Sequence, residues 1–193
     1  MKQKNSIPFG SSDLKKWYQN LAKQFFRSIG LKKGQSVLDF GCRVGNYSIP
    51  AALFVGSRGK LYALDKDHGA IDELMKRTEY FSLQNIIPMK TSGELNIDLP
   101  DNSVDFILFY DIIYSLYKAG GLASFKTILV EFDRILRKGG KFSFLIEHIQ
   151  SLPITEEDLI TEVSAFFTLE NVFKLKLMHW NHLETGKIHQ FKK

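Results

Sequence analysis

The sequence is poor in the residues that staple or stiffen small folds: one cysteine, five prolines and two tryptophans in 193 residues. Cys42, standing alone, excludes an internal disulfide framework and any metal site built from cysteines, and it sets a reducing, cytoplasmic location as the expectation. No apolar run approaches the roughly 20 residues that cross a bilayer, and the lysine-rich N-terminus lacks the continuous apolar stretch of a secretory signal. Repeats, low-complexity tracts and evident linkers are missing too. What is present, 44% hydrophobic and 24% charged residues, suits one globular domain with a substantial core. Sixteen phenylalanines fall mostly in segments that read as helix or strand, where core packing accounts for them.

The net charge of +5 is unevenly spread. Residues 1–34 carry eight lysines and arginines, among them Lys2, Lys4, Lys15, Lys16, Lys32 and Lys33, against Asp13 alone. Residues 174–193 carry five lysines against Glu184, so the middle of the chain is acidic. Basic ends beside an acidic body can steer an anionic partner such as RNA or a lipid headgroup, although solvated lysine faces account for the same pattern.

Leu14, Trp17, Tyr18, Leu21, Phe25 and Ile29 recur at helical spacing after Ser11 and Ser12, and Gly30 is placed to end the helix. Residues 1–34 are therefore expected to form a helical flap on a core spanning 35–193. Ser36–Phe40, Lys60–Leu64, Asn85–Lys90, Val104–Phe109 and Lys141–Ile146 read as strands. Helices are expected at about 46–54, 68–81, 121–137 and 156–166. The third of these should close with Arg137 and Lys138 at its end and Gly139-Gly140 beyond it. Val172–Trp180 and Lys187–Phe191 close the chain as a strand pair joined through Glu184-Thr185-Gly186, a connection short enough to demand antiparallel pairing. The alternation predicts an α/β fold: a Rossmann-like, seven-stranded, mostly parallel sheet with helices on both faces and an antiparallel C-terminal strand pair.

The first strand runs into Asp39-Phe40-Gly41-Cys42-Arg43-Val44-Gly45. Glycines at a strand-to-helix turn let the backbone approach a ligand, and the helix N-terminus offers free N–H groups. A dinucleotide fingerprint needs glycine at 43 and about 46, where Arg43 and Asn46 stand, so that reading fails. An acid two residues before the first glycine is a different signature. It is followed by Lys60-Leu61-Tyr62-Ala63-Leu64-Asp65, then Leu99-Pro100-Asp101-Asn102-Ser103-Val104-Asp105, then the stretch from Glu131 to Phe142 with its double glycine.

These four segments, in order across about Gln35 to Glu147, resemble class I S-adenosylmethionine-dependent methyltransferases, in the broad group related to quinone-biosynthesis methyltransferases. The resemblance implies S-adenosylmethionine as cofactor and a set of residues to hold it. Asp65 would take the ribose hydroxyls, and Gly41, Cys42 and Gly45 would shape the methionine pocket. Asp39 would order the loop by accepting backbone N–H groups, with possible contact to the ligand's ammonium. Lys66, Ser92 and Gly93 would meet the adenine, and Tyr110 the amine or the sulfonium. Two residues depart from the pattern: Arg43 replaces the middle glycine of the first motif, and Ser92 stands where an acid commonly accepts from the adenine amino group.

Asp111, Glu147 and His148 follow strands whose C-terminal ends line ligand crevices, which makes them candidates for a general base. His179 and His182, without companion acids or cysteines nearby in sequence, make only a weak metal case, and no metal is expected. The implied activity is methyl transfer to a small-molecule acceptor. The competing readings are an RNA or protein methyltransferase using the basic ends, and a non-catalytic binding module or partner subunit kept in play by Arg43 and Ser92.

Overall fold

The structure, a computed structural model, describes residues 10–193. Lys2, Lys4 and the first part of the expected flap lie outside these residues. Seven strands, β1 (Ser36–Phe40), β2 (Lys60–Asp65), β3 (Ile86–Lys90), β4 (Val104–Tyr110), β5 (Leu136–Leu145), β6 (Thr168–His179) and β7 (His182–Lys192), form one sheet in the order β3-β2-β1-β4-β5-β7-β6. The first five pair in parallel. β7 pairs antiparallel with both β5 and β6, so β7 alone runs against the rest and β6 ends at the same edge as β4 and β5.

The parallel strands are nearly continuous apolar runs because both faces of the sheet are covered. Along β4, Phe106 and Leu108 face one core while Ile107 and Phe109 face the other. On the first face pack α1 (Ser12–Lys16), a π-helical turn (Trp17–Leu21), α2 (Ala22–Ser28), α3 (Ser48–Val55) and α4 (His68–Tyr80). On the second lie α5 (Ile113–Ile135) and α6 (Glu156–Ser164), where Phe109, Phe125, Phe132, Phe142 and Phe144 form a linked set of ring contacts. Each phenylalanine fully buried there contributes about 1.5–3 kcal/mol by transfer from water.

The N-terminal helix is fastened to the domain. Trp17 is fully buried and donates from Nε1 to the Asn46 carbonyl at 2.8 Å, and Gln190 Nε2 donates to the Ile29 carbonyl at 2.5 Å. Ser11 caps α1 through its side chain and also donates to the Asn181 carbonyl, while Asp13 accepts from the Leu183 N–H.

Two expectations are corrected. The helix placed at 121–137 stops at Ile135, and a further helical stretch from Ile113 precedes it, the two divided at Gly120-Gly121, which leave helical geometry with Gly121 at φ +64°. Arg137 and Lys138 belong to β5 instead, because Leu136 is already extended and Arg137 is drawn to Asp105 at 2.8 Å and the Asn102 carbonyl at 3.0 Å. The closing hairpin turns at Trp180-Asn181, not at Glu184-Thr185-Gly186, which lie within β7. Gly186 is there for close approach: a Cβ on it would stand 2.4 Å from Leu177 Cδ2.

Candidate functional site

One cavity of about 1120 Å³ opens at the C-terminal edge of the sheet, where the strand order reverses between β1 and β4. Its first end is built from β1 and β2. Gly41 has φ +79°, and a Cβ on it would lie 2.0 Å from Ile112 Cδ1, so any side chain here would strain the backbone and displace Ile112. The turn is hung from β2 by the Gly41 and Cys42 N–H groups, which both donate to the Leu64 carbonyl. Asp65 holds it from the other side: Oδ2 accepts from the Arg43 N–H at 2.7 Å and Oδ1 from the Asp67 N–H at 2.8 Å. Each carboxylate oxygen keeps further lone-pair capacity for a ligand.

Asp39 is 4% exposed, and its Oδ2 accepts from the Ser48 hydroxyl at 2.5 Å rather than from the backbone N–H groups expected. Burial raises its carboxyl to about pKa 7; the Ser48 hydrogen bond opposes the shift and the Asp65 charge adds to it. Burial likewise pushes the Cys42 thiol well up, leaving it a poor nucleophile. Tyr110 lines the cavity from the end of β4, its hydroxyl 2.6 Å from Ser143 Oγ and its ring edge-on to Tyr47.

Of the residues expected to hold the cofactor, Asp39, Gly41, Cys42, Asp65, Lys66, Gly93 and Tyr110 line this cavity. Gly45 and Ser92 do not. Gly45 lies behind the loop, where a Cβ would stand 2.2 Å from Leu74 Cδ1. Ser92 is exposed and donates its N–H to Glu94 at 2.8 Å. Glu94, two residues further on and not singled out from the sequence, lines the cavity itself. Hydrogen bonds from the Thr91 hydroxyl and the Ser92 N–H hold its carboxyl down to about pKa 2. Arg43, the other departure, takes φ +46°, and its guanidinium lies over the Trp180 ring at 4.5 Å from the centroid.

The second end is assembled from β4, β5 and β6. Asp111 follows β4, His148 follows β5 and His179 ends β6. Their Nε2 atoms are 2.9 Å apart, with Asp111 carboxylate oxygens 3.5 Å from His148 and 3.2 Å from His179. Glu184 lies 3.1 Å from His179 Nδ1. Burial raises the Asp111 and Glu147 carboxyls, and the Glu184 charge pushes both the same way. His148 and Asp111, expected as separate base candidates, are thus brought together, while His182 is exposed and outside the group. Six non-glycine residues among those described have positive φ, and four of them, Arg43, Asp111, His148 and Trp180, line the cavity. Strain of this kind costs on the order of 1–3 kcal/mol per residue and gathers at functional sites.

The cavity fits S-adenosylmethionine by its own features: a glycine cradle that a Cβ would fill, a strand-end carboxylate with free lone pairs, and a buried Asn46 Oδ1 with no partner. Residues 38–144 match the profile of the family described as Methyltransferase domain. Spanning more than half of the chain, that match places it in this family, among the class I S-adenosylmethionine-dependent methyltransferases, with S-adenosylmethionine as the domain's cofactor. A probable cobalt-precorrin-6B C(15)-methyltransferase (decarboxylating) of Sulfurisphaera tokodaii is 29% identical over 126 residues, covering 63% of this chain and 60% of the relative. Aklanonic acid methyltransferase DauC of a Streptomyces species is 31% identical over 142 residues, covering 66% and 64%. The chain thus spans somewhat less than two thirds of the length of the curated relatives it matches. A solved S-adenosylmethionine-dependent methyltransferase from Aquifex aeolicus shares the fold, with a TM-score of 0.71 at 20% identity over 92% of both chains.

Proposed function

We propose that this chain, as a single domain, transfers a methyl group from S-adenosylmethionine to a small-molecule acceptor. One observation carries the reading: a single cavity joins the loop end at β1 and β2 to a cluster of titratable side chains at β4, β5 and β6. Its volume of about 1120 Å³ exceeds the roughly 300–1,000 Å³ of a pocket for one drug-sized ligand, which leaves room for an acceptor beside the cofactor. The relatives named for a cobalt-precorrin and for aklanonic acid favour a small acceptor over RNA or protein. A cytoplasmic setting belongs to the same proposal.

Asp65 would take the ribose hydroxyls, with Lys66, Gly93 and Glu94 around the adenine. Gly41 and Cys42 would bound the methionine portion, with Asp39 and Asn46 toward its ammonium and the Tyr110 ring beside the sulfonium. S-adenosylmethionine supplies a methyl group already activated on sulfur. The protein's own part is alignment and exclusion of water, together with removal of a proton where the acceptor must lose one. At the acceptor end, His148 and Asp111 line the cavity side by side.

Calorimetric titration with S-adenosylmethionine and S-adenosylhomocysteine tests the cofactor end. Wild type should bind both, and Asp65→Ala should weaken binding at least tenfold, about 1.4 kcal/mol. No binding to the wild-type protein would sink the reading. Turnover on a panel of small hydroxyl, amine and carbon acids then tests the acceptor class.

A further inference from the structure

We propose that Asp111, His148 and His179 form a binding site for one divalent transition-metal ion at the acceptor end of the cavity. The three side chains come from the ends of β4, β5 and β6, with β7 between the last two, and each offers a ligand atom within 4.8 Å of the others. The separations are those of donors around one ion: 2.9 Å between the two Nε2 atoms, and 3.2 and 3.5 Å from these to the Asp111 oxygens. At a metal–ligand distance of about 2.1 Å, neighbouring donors stand about 3.0 Å apart in an octahedron and about 3.4 Å in a tetrahedron. Two imidazoles and one carboxylate suit zinc, iron, cobalt or nickel better than magnesium or calcium, which favour oxygen donors.

The surroundings match a metal site as well as the ligands do. Glu184 lies 3.1 Å from His179 Nδ1, the carboxylate–histidine arrangement that fixes the tautomer and turns Nε2 toward an ion. Asp111 at φ +56° and His148 at φ +57° hold a backbone conformation that ordinary side chains avoid, and each delivers its side chain to the cavity. Trp180, next to His179, is held by the Asn46 amide on its carbonyl at 2.6 Å and by Arg43 on its ring, so the third ligand sits on a clamped hairpin tip.

Three protein ligands leave coordination positions open to the cavity, as in catalytic rather than structural metal sites. Resting on the methyl-transfer reading, we assign those positions to an ionisable oxygen of the acceptor, an enol or phenol hydroxyl. Coordination lowers the hydroxyl's pKa and its proton passes to solvent. The oxygen then forms the new O–C bond as the S–C bond breaks, and the sulfur keeps that electron pair.

The test uses the intact chain stripped of metal by chelation, with S-adenosylmethionine absent. Cobalt(II) is added while its visible absorption bands are followed, and zinc(II) binding is measured by calorimetry. The expected result is one saturable ion per chain, weakened at least about tenfold by His148→Ala and by His179→Ala and also weakened by Glu184→Gln. His182→Ala, three residues after a ligand yet outside the cluster, should bind as wild type does. The His148 side chain is half exposed, so its variant should keep the fold, which a thermal melt verifies. No saturable binding, or binding indifferent to His148→Ala, would overturn the site. S-adenosylmethionine titration of the same samples keeps the two readings apart. Metal bound without cofactor would sink the methyl-transfer reading alone; cofactor bound without metal would sink the metal site alone.

Discussion

The two ends of the cavity are built on different principles. The end at β1 and β2 is made of neighbours in sequence: Asp39 and Gly41 flank one strand end, Asp65 closes the adjacent strand, and backbone hydrogen bonds knit them into a buried unit. The end at β4, β5 and β6 joins three distant stretches of chain through partly exposed side chains. On the proposed function, a rigid cofactor seat beside a more open acceptor seat would let the domain keep its methyl donor chemistry while the acceptor end varies, since loops and strand ends carry function on a fixed scaffold.

Substitutions should separate the ends, beginning with the largest effect. Gly41→Ala introduces a Cβ 2.0 Å from Ile112 Cδ1 at φ +79°. It should cost roughly 2–3 kcal/mol in urea denaturation and abolish detectable S-adenosylmethionine binding. A variant that binds and melts as wild type does would mean that this seat is not rigid.

Asp39→Asn probes burial at the same end. Because the Asp39 carboxyl is raised from its ordinary 3.8 to about 7 in the fold, the folded state holds a proton that the unfolded chain releases. Its contribution to stability is fully present below about pH 3.8 and is lost as pH rises through 7. At pH 8 the asparagine variant should therefore be more stable than wild type, by an amount on the order of 2 kcal/mol, and the gap should shrink toward pH 5. A gap that ignores pH would show that Asp39 ionises freely.

Trp180→Ala removes the ring under Arg43 at the bridge between the two ends. A loss of roughly 0.5–1 kcal/mol in stability is expected, together with a small drop in cofactor affinity. An effect confined to the acceptor side would argue that the ends are not coupled through this stack. His148→Ala should have the smallest effect of all: stability within about 0.5 kcal/mol of wild type and S-adenosylmethionine affinity unchanged. Loss of cofactor binding on that change would erase the distinction drawn between the two ends.

The same contrast decides what the sequence disclosed. The mostly parallel sheet with its antiparallel close, the Gly41 turn and the Asp65 position at a strand end were legible because each is a short-range pattern in which strand, turn and helix follow one another. Glu94 was missed because the loop after β3 carries its acid two residues beyond the anticipated position, pinned there by Thr91 and Ser92. The grouping of Asp111, His148 and His179 was hidden because His179 has its companions at the ends of other strands, while His182, near it in sequence, stands outside the group. The hairpin was misplaced because glycine is the strongest turn signal, yet Gly186 serves interstrand packing while Trp180 occupies the turn at φ +53°. A bulky residue seldom takes that position without outside restraint; here Asn46, Arg43 and α1 supply it.

That β7 sits inside the sheet, between β5 and β6, also sets an order of assembly. β6 reaches the rest of the sheet only through β7, which pairs with β5. Contacts among β1, β2, α3 and α4 are local in the chain and carry small loop-closure costs, whereas placing His179 beside Asp111 requires closing a long loop. During refolding, affinity for the nucleoside cofactor should thus return before affinity for the acceptor, and the interval between the two would time the docking of one strand.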